Sequence, residues 1–554
     1  MRRLYLFLLL TTIAVLRSAA QQFIVFETQD GRTVVDADDV ESITLERDDA
    51  FYARLLPEAI AADPAAKLFG EALRRTGLAD SLRAFADESY PIMDESERRR
   101  MYEFGSPISN FWVPEVRRRS YTAFVESDAV FAAHGIRSLA DLEAYARKVY
   151  DEAFPEDAAV SDPTDRRHPL NRFVAYHLLP FGSTFDELTP NPVFYYRDQT
   201  DACDWYQTLL PCASLKCARP RFDDGIYINR RGISDGPDRY GVQVRGARIV
   251  PGTDSELTQK VSNGAYYYID DLLTYDLQTQ RVALNERWRF TATSLSPDFM
   301  TQGIRATKEQ DAHTNQLVHV FLNDKVENFR FKAPVEPFVY SPLRYMWQWD
   351  AEVYFAPDGE RSLNGACDLT LTLPALPEGD YELRFGQCAL TASPRVRFSV
   401  DGVVLADSVE FCCWDERVFA ERTGWQPYTT DSAEVYVRRQ MRSRGWMRGP
   451  RERALPHNTI TIEDDYEPTA DNSFPMSYAA RNCRAIVGRF HSDGRRASTL
   501  RIESLPYTYK EHESLFGRGY SRIDDDAPAS QPIKLDYLEL CPVWIADNEE
   551  IPEY

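Results

Sequence analysis

The chain has 554 residues, is 44% hydrophobic and 12% aromatic, and carries a formal charge of −22. Such length and apolar content exclude a disordered or fibrous chain and predict two to four domains. The charge excludes a nucleic-acid backbone as partner, because phosphate binding needs a basic face that releases counterions.

The N-terminus, MRRLYLFLLLTTIAVLRSAAQQ, sets Arg2 and Arg3 before an apolar run that ends near Leu16, followed by Ser18, Ala19 and Ala20. This is the pattern of a secretory signal over residues 1–20, cleaved after Ala20. The expectation is an exported protein, periplasmic, cell-surface or extracellular. No later stretch approaches the roughly 20 apolar residues of a membrane span, so the mature chain is expected to have no transmembrane helix. Nine cysteines in an exported chain predict disulfides, with at least one sulfur left over. Cys203, Cys212 and Cys217 lie in one segment and the other six in the C-terminal half, so pairing is expected within each region.

Residues 21–46 alternate around Asp30-Gly31 as a small hairpin. From Asp48 to Ala86, Leu55, Leu56, Ile60, Leu68, Leu73, Leu78 and Leu82 recur at helical spacing. A polar, arginine-rich stretch leads into YTAFVESDAVFAAHGI, residues 121–136. It alternates as a strand to Val125, changes period at Ser127-Asp128, and continues as a short helix ended by Gly135. A side-chain oxygen just before a helix can accept from the orphaned amides of the first turn, which predicts a cap at Ser127-Asp128. A second helical segment, Leu139 to Phe154, precedes an acidic loop and then HPLNRFVAYHLLP, where Leu170, Phe173, Val174 and His177 share one face before Pro180 stops it. Residues 183–260 read as a long insertion, after which SNGAYYYIDDLLTYD resumes through an Asn-Gly turn. Beyond residue 281, CDLTLTLPALPEGDYELRFGQCAL and PRVRFSVDGVVLADSVEF read as paired strands, and IKLDYLELCPVW as a closing one. That spacing predicts an all-β sandwich.

Three of these stretches, in order, resemble the fasciclin domain: the strand-to-helix joint with Phe124, Ser127, Asp128 and Phe131; Tyr176-His177; and NGAYYYID with Asn263, Gly264, Ile269 and Asp270. The resemblance covers 47–280, interrupted by the insertion, and implies an α+β domain of that type, with these residues mainly structural. With the long insert, residues 281–554 resemble the larger bacterial fasciclin proteins of the outer-membrane glycan-acquisition type, whose C-terminal jelly-roll-type sandwich is similar to galactose-binding-like carbohydrate modules. The resemblance implies a multidomain, non-enzymatic adhesion or recognition protein, with glycan or envelope-protein partners and peripheral association with the outer membrane. Tyr176-His177 is the pair such adhesion proteins are proposed to use in receptor contact. The residues themselves favour a core histidine, since His177 shares its face with Phe173 and Val174.

Context decides the remaining motifs. GISDG, Gly232 to Gly236, matches the G-x-S-x-G elbow in letters, but Arg230-Arg231 before it and Pro237-Asp238 after it describe a polar turn. H-E-x-x-H, a Walker loop and a strand-linked G-x-G-x-x-G are absent. No catalytic residue and no cofactor are assigned. Asp464-Asp465 and Asp524-Asp525-Asp526 could supply oxygens to a structural calcium ion, although neither follows a calcium-loop spacing. YMWQWD aligns Tyr345, Trp347 and Trp349 on one side of a strand, either a sugar-stacking face or one face of a core. Between Arg438 and Arg453 lie seven arginines, and Gly445, Gly449 and Pro450 suggest a loop. Arg442, Arg444 and Arg448 could fork onto an anionic glycan while Trp446 stacks on a ring, or they could salt-bridge this acidic chain's own surface. Competing readings are a glycan-active hydrolase and a scaffold that binds only protein partners.

Overall fold

The computed structural model describes residues 23–28, 31–36, 54–87, 89, 110–112, 117–189, 202–220, 225–232, 242–250, 261–301, 317–322, 327–332, 342–346, 353–355, 368–386, 395–411, 416–427, 430–448, 483–505, 507–508, 528–529, 533–535 and 537–548. The contacts divide the chain into two units, 1–54 and 55–554. In the first, Phe23–Thr28 and Gly31–Asp36 form an antiparallel hairpin with Thr28 opposite Gly31.

The second unit begins with three short helices, Leu56–Ala62, Lys67–Arg75 and Leu78–Ser81, where helical spacing was expected. Next to them is a three-stranded sheet. Its central strand, Tyr121–Glu126, runs parallel to Gly264–Ile269 and antiparallel to Leu178–Leu179. The central strand is buried on both faces along its whole length, Thr122 and Glu126 included, which corrects the expected alternation of a one-sided strand. Helices Leu139–Ala153 and Pro169–Tyr176 pack together beside it. Gly264 has φ 150°, and a Cβ there would lie 1.9 Å from the Tyr121 carbonyl oxygen, so only glycine allows the two strands to start side by side.

The insertion carries its own four-stranded sheet, ordered Ala247–Arg248, Tyr227–Ile228, Ser214–Arg219, Ala202–Gln207. Further along the chain, two five-stranded antiparallel sheets form a sandwich. One is ordered Trp288–Thr291, Tyr537–Pro542, Gly379–Gly386, Arg484–Ser492, Trp446–Met447. The other is ordered Phe329–Lys332, Asp368–Thr372, Thr499–Leu505, Arg395–Val400, Val403–Glu410. They meet through Phe385 and Phe398, whose ring centroids are 5.2 Å apart.

Three connections cross the boundary expected near residue 280. Strand Asn110–Trp112 pairs in parallel with Leu317–Leu322. Trp205 stacks on Trp288 at 4.2 Å, and Arg117 forks onto Asp298. Residues 55–554 are accordingly one compact unit. Among the described residues no disulfide is formed, and Cys212 and Cys483, expected to pair within their regions, are thiols buried in the core; Cys367, Cys388, Cys412 and Cys413 lie outside the described residues. No helix among the described residues is long and apolar enough to cross a membrane.

Candidate ligand-binding site

The arginine cluster expected to bind anions is built differently from a loop. Residues Asp431–Ser443 form a helix, capped by the Thr430 hydroxyl accepting from the Ala433 amide at 3.3 Å. Gly445, at φ 78°, ends it and returns the chain as strand Trp446–Met447. That turn drives Trp446 under the helix, where it is 6% exposed and edge-on to Phe411 and Phe419 at 5.7 and 5.6 Å. A tryptophan so buried offers no face to a sugar, which corrects the expectation for Trp446.

The arginines are also engaged by the protein itself. Arg448 is buried and forks onto Glu434 at 2.7 and 2.8 Å, with Trp425 beneath its guanidinium. Arg442 spans both oxygens of Glu382 at 3.2 and 3.0 Å, and Arg444 donates to the Glu421 carbonyl at 2.5 Å. Glu382 and Glu434 are themselves buried, so each fork neutralises a carboxylate that would otherwise be stranded. Trp347 and Trp349 lie outside the described residues, as do Asp464-Asp465 and Asp524-Asp525-Asp526; among the described residues no cluster could hold a metal ion.

The residues of the fasciclin resemblance are core and cap residues. Ser127 accepts from the Val130 amide at 3.3 Å and so caps its own helix, Asp128–Ala133. Asp128 caps another: its carboxylate accepts from the Leu68 amide at 2.9 Å, at the start of helix Lys67–Arg75. Asn263 accepts from the Leu56 amide at 2.8 Å and donates to the Leu82 carbonyl at 2.7 Å, tying the N-terminal helices to the sheet. Phe124, Phe131 and Ile269 are fully buried, and Asp270 is forked by Arg245. Tyr176 donates to the Ser214 carbonyl at 3.1 Å and accepts from Asn229 at 2.9 Å; burial lifts its phenol far above the ordinary value. His177 is fully buried, Nδ1 at 2.7 Å from the Phe173 carbonyl and Nε2 at 2.9 Å from Glu126. Because a carbonyl only accepts, Nδ1 carries hydrogen, and the Nε2 contact is an imidazole–carboxyl bond inside the core. Neither Tyr176 nor His177 reaches the surface.

A cleft of about 260 Å³ lies elsewhere. One wall is apolar, made by Leu78, Leu209, Pro180, Pro211 and Pro297. The lining also includes Arg117, Arg118, Arg119 and Arg166, the two acids Asp298 and Glu327, and the hydroxyl-bearing Ser81, Tyr121 and Thr301. Local structure explains the arrangement. Residues 117–119 run extended into strand Tyr121–Glu126, held by the Arg119 amide donating to the Phe85 carbonyl at 2.9 Å and the Asp87 amide to the Arg117 carbonyl at 2.9 Å. Arg166 comes from the turn before helix Pro169–Tyr176, and Pro297 and Asp298 open the short helix Pro297–Thr301.

These four arginines differ in what neutralises them. Arg117 forks onto Asp298 at 2.8 and 3.0 Å and also contacts Asp87 and Glu327, each at 3.1 Å. Burial opposes its charge, but Asp298, Glu327 and Asp87 outweigh that and hold the guanidinium above its ordinary value. Among the described residues Arg119 has only the long carboxylate contacts to Asp87 at 3.7 Å and Glu327 at 3.8 Å. Arg166 donates to the Ser81 hydroxyl at 3.1 Å and the Asn171 carbonyl oxygen at 3.4 Å, and has no carboxylate among the described residues. Arg118 is exposed, with neither an ion pair nor a side-chain hydrogen bond among the described residues. Burial raises the Tyr121 phenol, against the pull of Arg119, so the hydroxyl stays a donor and reaches the Ser81 carbonyl at 3.2 Å. The arrangement can hold an anionic group on guanidinium forks while an apolar face lies against proline rings. Its sequence signal was the run Arg117-Arg118-Arg119 directly before a strand, read only as a polar stretch, and nothing local tied it to Arg166.

No family model matches the chain, and no curated protein matches it. Among solved structures the chain is similar to a family 35 carbohydrate binding module from Clostridium thermocellum. The identity is 11%, over 40% of this chain and 96% of that one, with a TM-score of 0.15. A likeness at that TM-score carries no argument about fold or ligand, and the fasciclin resemblance rests on its three sequence stretches.

Proposed function

We propose that this chain is an exported, non-catalytic recognition protein that binds an anionic ligand, in the first place an acidic glycan, in the arginine-lined cleft. One observation carries the reading: Arg118 and Arg166 line a cleft without a carboxylate partner among the described residues, in a chain of charge −22. Arg442 and Arg448, by contrast, are each forked by a carboxylate of the chain itself. An acidic sugar suits the cleft in each part: carboxylate or sulfate for the guanidinium forks, hydroxyls for Ser81 and Tyr121, and an apolar C–H face for the three prolines. Adhesion at the cell surface beside an outer-membrane glycan-uptake complex is the setting we propose, supported by the signal-like N-terminus and the fasciclin resemblance.

The test is retention of the full chain on polygalacturonate and on a heparin-type sulfated glycan, with neutral dextran as control, across a salt series. Expected are saturable retention on the charged polymers, none on dextran, and a loss of roughly tenfold or more for Arg118→Ala with Arg166→Ala, since hydrogen bonds to charged groups contribute about 1.5–3 kcal/mol each. Unchanged retention by the double variant would remove the site. Release of reducing ends would instead favour the hydrolase.

A further inference from the structure

The acid at the rim of the cleft is placed where a ligand's own anion would go. Glu327 is 47% exposed, yet its carboxylate lies 3.1 Å from Arg117 and 3.8 Å from Arg119. Arg117 does not need it, being already forked by Asp298, 8% exposed, and paired with Asp87, 12% exposed. Glu327 therefore contributes a surplus negative charge where two guanidiniums converge.

Nor is its position an accident of a loose side chain. The Glu327 amide donates to Asp298 at 2.6 Å and its carbonyl accepts from the Ser296 hydroxyl at 2.8 Å. The next residue, Asn328, sits in the left-handed region at φ 75° and donates to the Leu295 and Thr372 carbonyls at 2.6 and 3.0 Å. This turn is fixed by backbone and by Asn328, independently of the Glu327 carboxylate, which lies between Arg117 and Arg119.

We propose that Glu327 is a built-in competing anion: its carboxylate occupies the Arg117–Arg119 position of the empty cleft, and an anionic ligand must displace it or bear its repulsion. The proposal rests on the anion-binding reading of the cleft. It makes Glu327 the residue that sets the affinity threshold, so that a weakly charged ligand is turned away and a ligand presenting two anionic groups, one for Arg118 and Arg166 and one for Arg119, is accepted. Two like charges a few ångströms apart at a half-exposed rim oppose each other enough to change affinity roughly three- to tenfold.

The experiment titrates the full chain with digalacturonate, and separately with sulfate ion, by calorimetry at low and high salt. Glu327→Gln keeps the side chain's shape and removes its charge; Glu327→Ala removes its reach as well; Asp407→Asn, an exposed acid paired with Arg397 in the sandwich, controls for net charge. Expected is binding roughly three- to tenfold tighter for both Glu327 variants, a gain that shrinks with salt, and no change for Asp407→Asn. Equal or weaker binding by both Glu327 variants, with the unmodified chain still binding, overturns this inference and leaves the cleft reading standing. A gain matched by Asp407→Asn also overturns it. If neither the unmodified chain nor the variants bind either probe, the cleft reading falls and this inference with it.

Discussion

Replacing Glu539 with glutamine tests how the sandwich tolerates charge inside it. Glu539 is fully buried on strand Tyr537–Pro542, where Arg289 and Arg384 from the two adjacent strands and Arg484 from the next one converge on it, with Arg287 farther off at 3.7 Å. Arg384 donates at 2.7 Å, Arg484 at 2.5 Å, and Arg289 at 3.0 and 2.7 Å. Arg384 and Arg484 are 0% and 1% exposed, so no water can replace the lost charge. Glutamine conserves volume and keeps one acceptor oxygen, and the change is therefore mainly electrostatic. Removing one partner of a buried ion pair costs about 3–5 kcal/mol, because the remaining charge is left uncompensated, and we expect that cost here. The assay is urea unfolding followed by tryptophan fluorescence, read as a midpoint shift at constant slope, since urea leaves ionic strength unchanged. Arg384→Met alone and combined with Glu539→Gln completes a cycle in which the double variant should recover at least about 1 kcal/mol over the sum of the single ones. A cost under about 1 kcal/mol for Glu539→Gln, or strict additivity in the cycle, would refute the view that this network is held by mutual neutralisation.

Ser127→Ala and Asp128→Ala should each cost about 1 kcal/mol and add, since they cap two different helices; a silent Asp128→Ala would show that the Leu68 amide does not depend on it. Trp446→Ala should cost about 3–5 kcal/mol while leaving retention on acidic glycans unchanged, and the opposite pattern would return Trp446 to the ligand site. Burial pushes the Cys483 thiol up to about 12, against the pull of Arg448 and Arg484, so the fold keeps a proton that the unfolded chain gives up above its ordinary value near 9.0. Its contribution is fully present below pH 9 and is lost as pH rises towards 12, by up to about 1.4 kcal/mol per pH unit. Cys483→Ala should remove that part of the alkaline decline, measured as the difference between the two chains' urea midpoints at pH 8 and pH 10; parallel declines would contradict the buried thiol.

Local periodicity carried much of the fold. The change of period at Ser127 marks a real junction, because a strand that buries Phe124 and a helix that buries Phe131 must meet at a residue able to satisfy the helix's free amides. The helical spacing from Leu55 to Leu82 and the strand pair around Asp401-Gly402 were legible for the same reason: each buries one face at a fixed repeat. The pair expected across Pro-Glu-Gly-Asp does not form: Asp368–Thr372 joins Phe329–Lys332 and Thr499–Leu505 in one sheet, and Gly379–Gly386 joins Arg484–Ser492 and Tyr537–Pro542 in the other. What could not be read were pairings between distant residues. Asp128 reaches Leu68, Asn263 reaches Leu56, and strand Asn110–Trp112 joins Leu317–Leu322, all contacts whose partners share no local pattern. The helix at Asp431–Ser443 was missed because seven arginines drew attention to charge, while Val437 and Met441, four residues apart and buried, carried its apolar face.

The two arginine clusters show why composition alone misplaces a site. An arginine run announces affinity for anions, but it does not reveal whether the anion is already in the chain. At Arg442 and Arg448 the fold supplies Glu382 and Glu434 at bidentate distance, and the guanidiniums become part of the packing. Among the described residues it gives Arg166 one hydroxyl and one amide oxygen and Arg118 no side-chain partner, and both line the cleft. Arg117 and Arg119 fall between, with Glu327 as the surplus acid. Whether a cationic residue binds an external ligand is thus decided by the carboxylates the fold brings to it from far along the chain, and in a protein of charge −22 the informative arginine is the one that no carboxylate among the described residues reaches.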